Sequence, residues 1–286
     1  ASVAEPRNAL QVKLQTRHTA TYVAYTGIAP HGYRVMTDIA SHRGGARIWP
    51  ENSRIAFRNS AALPVDFIEF DIHRSRDGAL VVHHDALLGR TAVGEGAVGD
   101  MDWAALQAVH LIGTDSETIP SFDEVLDILE PSGIRLRIEL KTRQGGERYA
   151  GVEAQVVARL RERGLLDRTT FTSFDLPTLG ELLRLASATP TIWLVADKLL
   201  APPSRDLRAL CREACAAGVR EIAIRINQAQ DGDGDLCRSE TVTLGYYGAH
   251  DEPAVRKAFA DGVSAFTTDR PDIAIAVRRE LNEGRG

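Results

Sequence analysis

FIEFDIH, residues 67–73, and RLRIELK, residues 135–141, decide how the chain folds. Both alternate strictly. In the first, Ile68, Phe70 and Ile72 share one face, while Phe67, Glu69, Asp71 and His73 share the other. In the second, Leu136, Ile138 and Leu140 oppose Arg135, Arg137, Glu139 and Lys141. A period of two belongs to a β-strand, whose successive side chains point to opposite faces. Strands of a closed parallel barrel are buried on both faces and normally read as apolar runs. These two break that rule in an ordered way. The apolar sets therefore pack under helices, and the charged sets point to the barrel axis.

Working outward, six further β-rich runs alternate with helical patterns: residues 34–42, 169–174, 191–196, 221–226, 242–247 and 264–268. The helix candidates ERYAGVEAQVVARLRERG (147–164) and LRALCREACAAGV (207–219) place apolar residues at three- and four-residue spacing and close on glycine. An extra strand at 79–83 and a short helix, SFDEVLDILE, capped by Ser121, interrupt the alternation after the second strand. Eight strands alternating with helices predict an α/β fold, a (β/α)8 TIM barrel with an inserted hairpin and short-helix segment. The competing fold, an open doubly wound sheet, usually carries a Gly-x-Gly-x-x-Gly turn after its first strand, and HRGG at 42–45 is not one. Residues 1–33 read as an N-terminal extension and 34–286 as a single barrel domain.

A net charge of -5 and a pI near 5.9 argue against a nucleic-acid partner, and no apolar run reaches membrane-spanning length, so no stable membrane insertion is expected. Three cysteines imply no disulfide framework. Cys211 and Cys215 could share a helix face, but no zinc-like set surrounds them. That thiol usage suits a cytoplasmic protein. The start shows no signal pattern; a periplasmic or secreted location stays open, because the chain does not begin with Met. No oligomeric state is implied.

Glu69, Asp71 and Glu139 would converge near one axis, at the strand ends where barrel active sites form. Buried carboxylates need compensation. Two sources are open: a bound hard cation, Mg²⁺ or Ca²⁺, which favours an all-oxygen set, or ion pairs with Arg137 and Lys141. His42 ends the first strand and His84 follows Leu80-Val81-Val82; flanking such a cluster, they suit a general acid and base. His83 competes with His84, since alternation lets only one face the site. Arg43 offers a planar fork for an anionic oxygen and Lys141 a point charge. This set suits cleavage of an anionic ester, most simply a small-molecule phosphodiester.

The ordered motifs resemble the glycerophosphodiester phosphodiesterase family. They are HRG at 42–44, PEN at 50–52, E-x-D at 69–71, RDG at 76–78, HD at 84–85, ELK at 139–141, TSFD at 172–175 and TDRPD at 268–272. Each is weak alone, but they fall in the family's order. The resemblance implies hydrolysis of a phosphodiester to a phosphomonoester and an alcohol. It implies one divalent cation on Glu69, Asp71 and Glu139, acid–base work by His42 and His84, and phosphate contacts from Arg43 and Lys141. Asn52 and Asp85 would orient their neighbours, and a vicinal substrate hydroxyl would route the reaction through a cyclic phosphate.

One departure bears on the substrate. The family's penultimate strand usually ends in Trp-Thr-Val-Asn; here Tyr246, Tyr247, Gly248 and Ala249 stand there, followed by His250. The added room and the tyrosine pair suit a sugar or polyol, with Trp193 as a stacking wall and Arg225 as a polar contact. A sugar-containing diester of the agrocinopine (opine) type is one expectation. A non-catalytic sugar-phosphate-binding barrel and a phospholipase D-type transphosphatidylase are the alternatives. The transphosphatidylase needs an apolar docking loop, and TAVGEGAVGDMD, 91–102, is small and acidic.

Overall fold

The computed structural model describes residues 37–201 and 205–283; the expected extension, 1–33, lies outside the described residues. The strands are β1 (Asp38–Ser41), β2 (Phe67–Arg74), β3 (Leu80–Val82), β4 (Arg135–Leu140), β5 (Thr169–Ser173), β6 (Thr191–Leu194), β7 (Glu221–Arg225), β8 (Thr243–Tyr247) and β9 (Ala265–Thr268). Eight run parallel and close on themselves, because β1 pairs with both β2 and β9. β3 is the inserted ninth, antiparallel to the upper end of β2 through Ile72 opposite Val82. This is the (β/α)8 barrel that the alternation predicted.

The closing contact is short. β1 meets β2 only at Ala40–Phe67 and Ser41–Ile68, and above that level β3 takes the edge of β2. Packed around the mouth, the inserted segment has its own small core, including Val81, Leu88, Val98, Leu106 and Ile119.

The main core lies between sheet and helices, where Ile68, Phe70, Ile72, Leu136, Ile138 and Leu140 all fall as expected. Inside the barrel the lining is divided. Buried Glu69, Asp71, Arg137, Glu139, Thr170 and Thr172 line the β2–β4–β5 side, while Ile192, Leu194, Ala223 and Tyr247 form a separate apolar cluster across the axis.

Some boundaries moved, for backbone reasons. β1 stops at Ser41, because Arg43, Gly44 and Gly45 all take positive φ. The helix expected over 147–164 begins at Val152, after Gly151 at φ +73°, and ends at Glu162. Ser121 does cap Phe122–Leu129, in a reciprocal pair with Glu124. Cys211 meets Cys237, Sγ to Sγ 3.6 Å, whereas Cys215 faces Arg220, so the Cys211–Cys215 pairing does not form.

Candidate active site

Residues 42–45 leave the sheet through three consecutive positive-φ positions, Arg43 at 51°, Gly44 at 79° and Gly45 at 95°. Gly44 is required twice over. Its backbone is left-handed, and a Cβ there would lie 2.8 Å from the Cβ of Ala56. The turn is braced from the PEN segment: Asn52 donates its backbone N–H to Arg43 O at 3.0 Å and its side-chain amide to Asp71 Oδ2 at 2.8 Å. Ser53 then caps the helix Arg54–Ala61.

This turn delivers Arg43 and His42 to the carboxylates. Arg43 donates its backbone N–H to Glu69 Oε2 at 3.0 Å, and its Nε lies 3.3 Å from Asp71 Oδ2. Oxygens of Glu69, Asp71 and Glu139 all come within 4.8 Å of one another, fully buried. Lys141 Nζ stands 2.7 Å from Glu139 Oε1 and 3.3 Å from Asp71 Oδ1. Arg137 is buried beside them but leaves Nε and Nη2 without hydrogen-bond partners. Of the two internal cations expected to neutralise the cluster, only Lys141 pairs directly.

The electrostatics follow from that crowding. Burial, reinforced by Asp71, pushes the Glu69 carboxyl up to about 7. Burial raises Asp71 too, but Lys141 and Arg43 outweigh it and hold Asp71 well below the usual range. Against its own burial, Lys141 is raised to about 12 by Glu139 and Asp71. Although Lys141 Nζ stands 3.3 Å away, Asp71 Oδ1 makes no hydrogen bond despite full burial. An all-oxygen donor set, a carboxyl forced toward neutrality and an orphaned carboxylate oxygen all fit a hard divalent cation.

The two histidines flank this cluster, each with Nδ1 on a carboxylate. His42 Nδ1 lies 2.5 Å from Asp269 Oδ1, and His84 Nδ1 lies 2.6 Å from Asp85 Oδ1. A proton on Nδ1 of each ring would bond its carboxylate and leave Nε2 free; Nε2 of His42 is 3.9 Å from Glu69 Oε2. Burial lowers His84 from its ordinary value. His83 is structural in geometry, its ring held by Asp85 O and Thr91 Oγ1. His73, lowered to about 4 by burial, bridges Tyr149 Oη and His84 O and steadies the loop. An open cleft of about 590 Å³ runs along His84, Lys141 and Arg143, room enough for a small-molecule diester.

The expected alcohol pocket is half corrected. Trp193 and Tyr246 lie in the core beneath the helices, with the Trp193 indole N–H donated to Phe174 O and the Tyr246 hydroxyl to Asp261. They sit one residue out of step with the inward positions. Arg225 and Tyr247 take the inward parity, paired across β7 and β8: Arg225 Nε contacts Asp197 Oδ2 at 2.8 Å, and Tyr247 Oη contacts Asp197 Oδ1 at 2.9 Å. Sequence reasoning assigned no role to Asp269, His250 or Glu51, which lie in or beside its motifs, and did not point to Arg90. His250 stacks on His42 at 6.1 Å and accepts the Asp269 backbone N–H.

Residues 42–273 match the Glycerophosphoryl diester phosphodiesterase family. A glycerophosphodiester phosphodiesterase of Bacillus altitudinis is 29% identical over 254 residues, covering 86% of this chain and 100% of that one. One from Bacillus subtilis (strain 168) is 25% identical, covering 86% and 87%. A crystal structure from Agrobacterium tumefaciens str. C58, provisionally named a glycerophosphoryl diester phosphodiesterase, is 34% identical with a TM-score of 0.83, covering 87% of this chain and 99% of that chain. Fold and relatives make this protein a phosphoric diester hydrolase built on a (β/α)8 barrel. The chain belongs to the glycerophosphoryl diester phosphodiesterase family. Members generally use a divalent cation, and the acidic cluster is where this chain could hold one. Enzyme relatives set aside the non-catalytic barrel. No helix among the described residues is long and apolar enough to cross a membrane.

Proposed function

We propose that this chain hydrolyses a glycerophosphodiester or a sugar-containing relative by cation-dependent chemistry, with His42 and His84 as the acid–base pair. The reading is carried by one observation: three buried carboxylates within 4.8 Å of one another, flanked by two imidazoles whose Nδ1 atoms are both tied to carboxylates. Glu69, Asp71 and Glu139 would hold Mg²⁺ or Ca²⁺. Once bound, the cation supplies Lewis-acid charge at the phosphate and a fixed orientation for it.

This chain's own residues do the rest. Arg43 and Lys141 take phosphate oxygens, and the low-dielectric floor strengthens both contacts. One Nε2 removes the proton of the attacking hydroxyl, and the other protonates the leaving alkoxide. The attacker is water or, where the substrate carries a hydroxyl beside the ester, that hydroxyl; a cyclic phosphate then forms and water opens it. Asn52 keeps Asp71 in place, and Asp85 keeps His84 oriented.

A specific observation favours the sugar-containing reading. At Gly248, Arg225 Nη1 and His250 Nε2 lie 3.5 Å and 3.8 Å from where a Cβ would stand, so two polar nitrogens border the bare backbone. Asp197 adds acceptors, and the partly exposed Phe174 ring meets Tyr247 edge-on. Mixed donors, acceptors and ring faces recognise a polyhydroxyl alcohol.

The test is a panel of phosphodiesters given to chelated and then Mg²⁺- or Ca²⁺-reloaded enzyme, with phosphorus NMR identifying both products. Cleavage restored by cation, faster on sugar-containing diesters, is the expected result. Full turnover after chelation removes the cation role, and equal rates across alcohols remove the sugar preference.

A further inference from the structure

The phosphate-facing turn and the loop bearing His84 are joined by side chains to which no role has so far been given. Glu51 Oε1 accepts from Arg43 Nη1 at 2.9 Å and from Arg90 Nη2 at 2.8 Å, and Glu51 Oε2 accepts from Arg90 Nη1 at 3.0 Å. Arg90 turns its other edge to Asp85, Nε to Oδ2 at 2.6 Å and Nη2 to Oδ1 at 3.1 Å. Asp85 in turn holds His84 Nδ1. The result is an unbroken path, Arg43–Glu51–Arg90–Asp85–His84, across two loops that share no backbone hydrogen-bonded element.

Two features argue for more than surface charge pairing. Arg90 uses both edges of one planar guanidinium, a geometry that a lysine cannot copy. Glu51, only 12% exposed at its side chain, separates two guanidiniums that would otherwise repel each other. Arg90 itself is 49% exposed, and ion pairs of that kind add little to stability. Its stabilising value is therefore small, while its geometric value is large.

We propose that Glu51 and Arg90 are positioning residues that hold Arg43 and the imidazole of His84 in one register. The inference rests on the roles proposed above for Arg43 and His84. With Glu51 and Arg90 in place, the fork reading the phosphate and the nitrogen handling the proton keep a fixed separation. Without either, each loop sets its own.

The test uses cation-loaded enzyme and a glycerophosphodiester with an unactivated alcohol, measuring kcat, KM and the unfolding midpoint. Arg90→Lys and Glu51→Gln should each lower kcat by about 10–100-fold, the usual cost of losing an outer partner of a site, with KM and the midpoint nearly unchanged. In the Arg90→Lys/His84→Ala double variant the loss should stay within about threefold of His84→Ala alone, because Arg90 acts through His84. A pH profile adds a readout that a structural role does not move. Arg90→Gln removes a positive charge 3.4 Å from His84 Nδ1, shifting whichever limb of kcat/KM His84 governs to higher pH. Glu51→Gln removes a negative charge and shifts it lower. Near-wild-type kcat in Arg90→Lys, additive losses in the double variant, or limbs moving the same way each overturn the proposal. Wild-type activity in His84→Ala is a separate outcome, and it overturns the acid–base reading on which this one rests.

Discussion

Nδ1 of His42 and Oδ1 of Asp269 stand 2.5 Å apart, which joins the turn after the first strand to the end of the last strand. A proton held on Nδ1 by this carboxylate would leave the Nε2 lone pair on the Glu69 side, 3.9 Å from its Oε2. Asp269→Asn should fold normally and lower kcat by about 10²–10⁴-fold, because an amide can donate to Nδ1 and favour the wrong tautomer. Steady-state kinetics with the cation present measures this. A loss smaller than about tenfold would show that Asp269 does not set the imidazole.

Three carboxylates within 4.8 Å repel one another, and Lys141 pairs with only Glu139 and Asp71. Titration calorimetry should show Mg²⁺ or Ca²⁺ binding, and the bound ion should raise the unfolding temperature, since only the folded state gathers these oxygens. Glu139→Gln should weaken that binding by at least about tenfold. Unchanged affinity in this variant would place the ion elsewhere.

Gly44→Ala should be costly out of proportion to one methyl. The added Cβ would meet Ala56 Cβ at 2.8 Å in a backbone held at φ +79°. Left-handed strain of about 1–2 kcal/mol adds to overpacking of about 1–3 kcal/mol. Urea unfolding should therefore show a loss of about 2–5 kcal/mol. A loss below about 0.5 kcal/mol, the range of ordinary surface changes, would mean that the turn relaxes away from the helix.

The barrel and its charged lining were legible for a physical reason. β2 and β4 keep apolar and charged residues on separate faces, so period two reveals which side is the axis. The strands TIWL and TLGYY carry no charged face. Their inward parity is therefore silent, and Trp193 and Tyr246 were read one residue out of step. Register with β7 settles it, pairing Leu194 with Ala223 and Arg225 with Tyr247 on the inner side. Glu51 and Arg90 were hidden differently. They meet across 39 residues, through an inserted segment with little regular structure to project from. Asp269 lay within a recognised motif, but AFTT gives its strand no polarity either.

His250 links stability to pH in a direction that can be worked out. Burial lowers its imidazole to about 4, outweighing the nearby Asp269, and His42 lowers it further. Its Nδ1 accepts the backbone N–H of Asp269 at 3.0 Å, which only an unprotonated nitrogen can do. The unfolded chain takes up this proton near the ordinary histidine value of about 6.5; the folded chain resists until about 4. Between those values the unfolded state binds more protons, so stability falls as pH falls. The contribution is fully present above pH 6.5 and lost as pH drops toward 4. His250→Gln can still accept the N–H but cannot titrate. Urea unfolding at about pH 7 and pH 5 should therefore show a smaller acid loss for His250→Gln than for the wild type. Equal losses in the two proteins would mean that His250 is protonated as readily folded as unfolded, and that Asp269 rather than burial governs it.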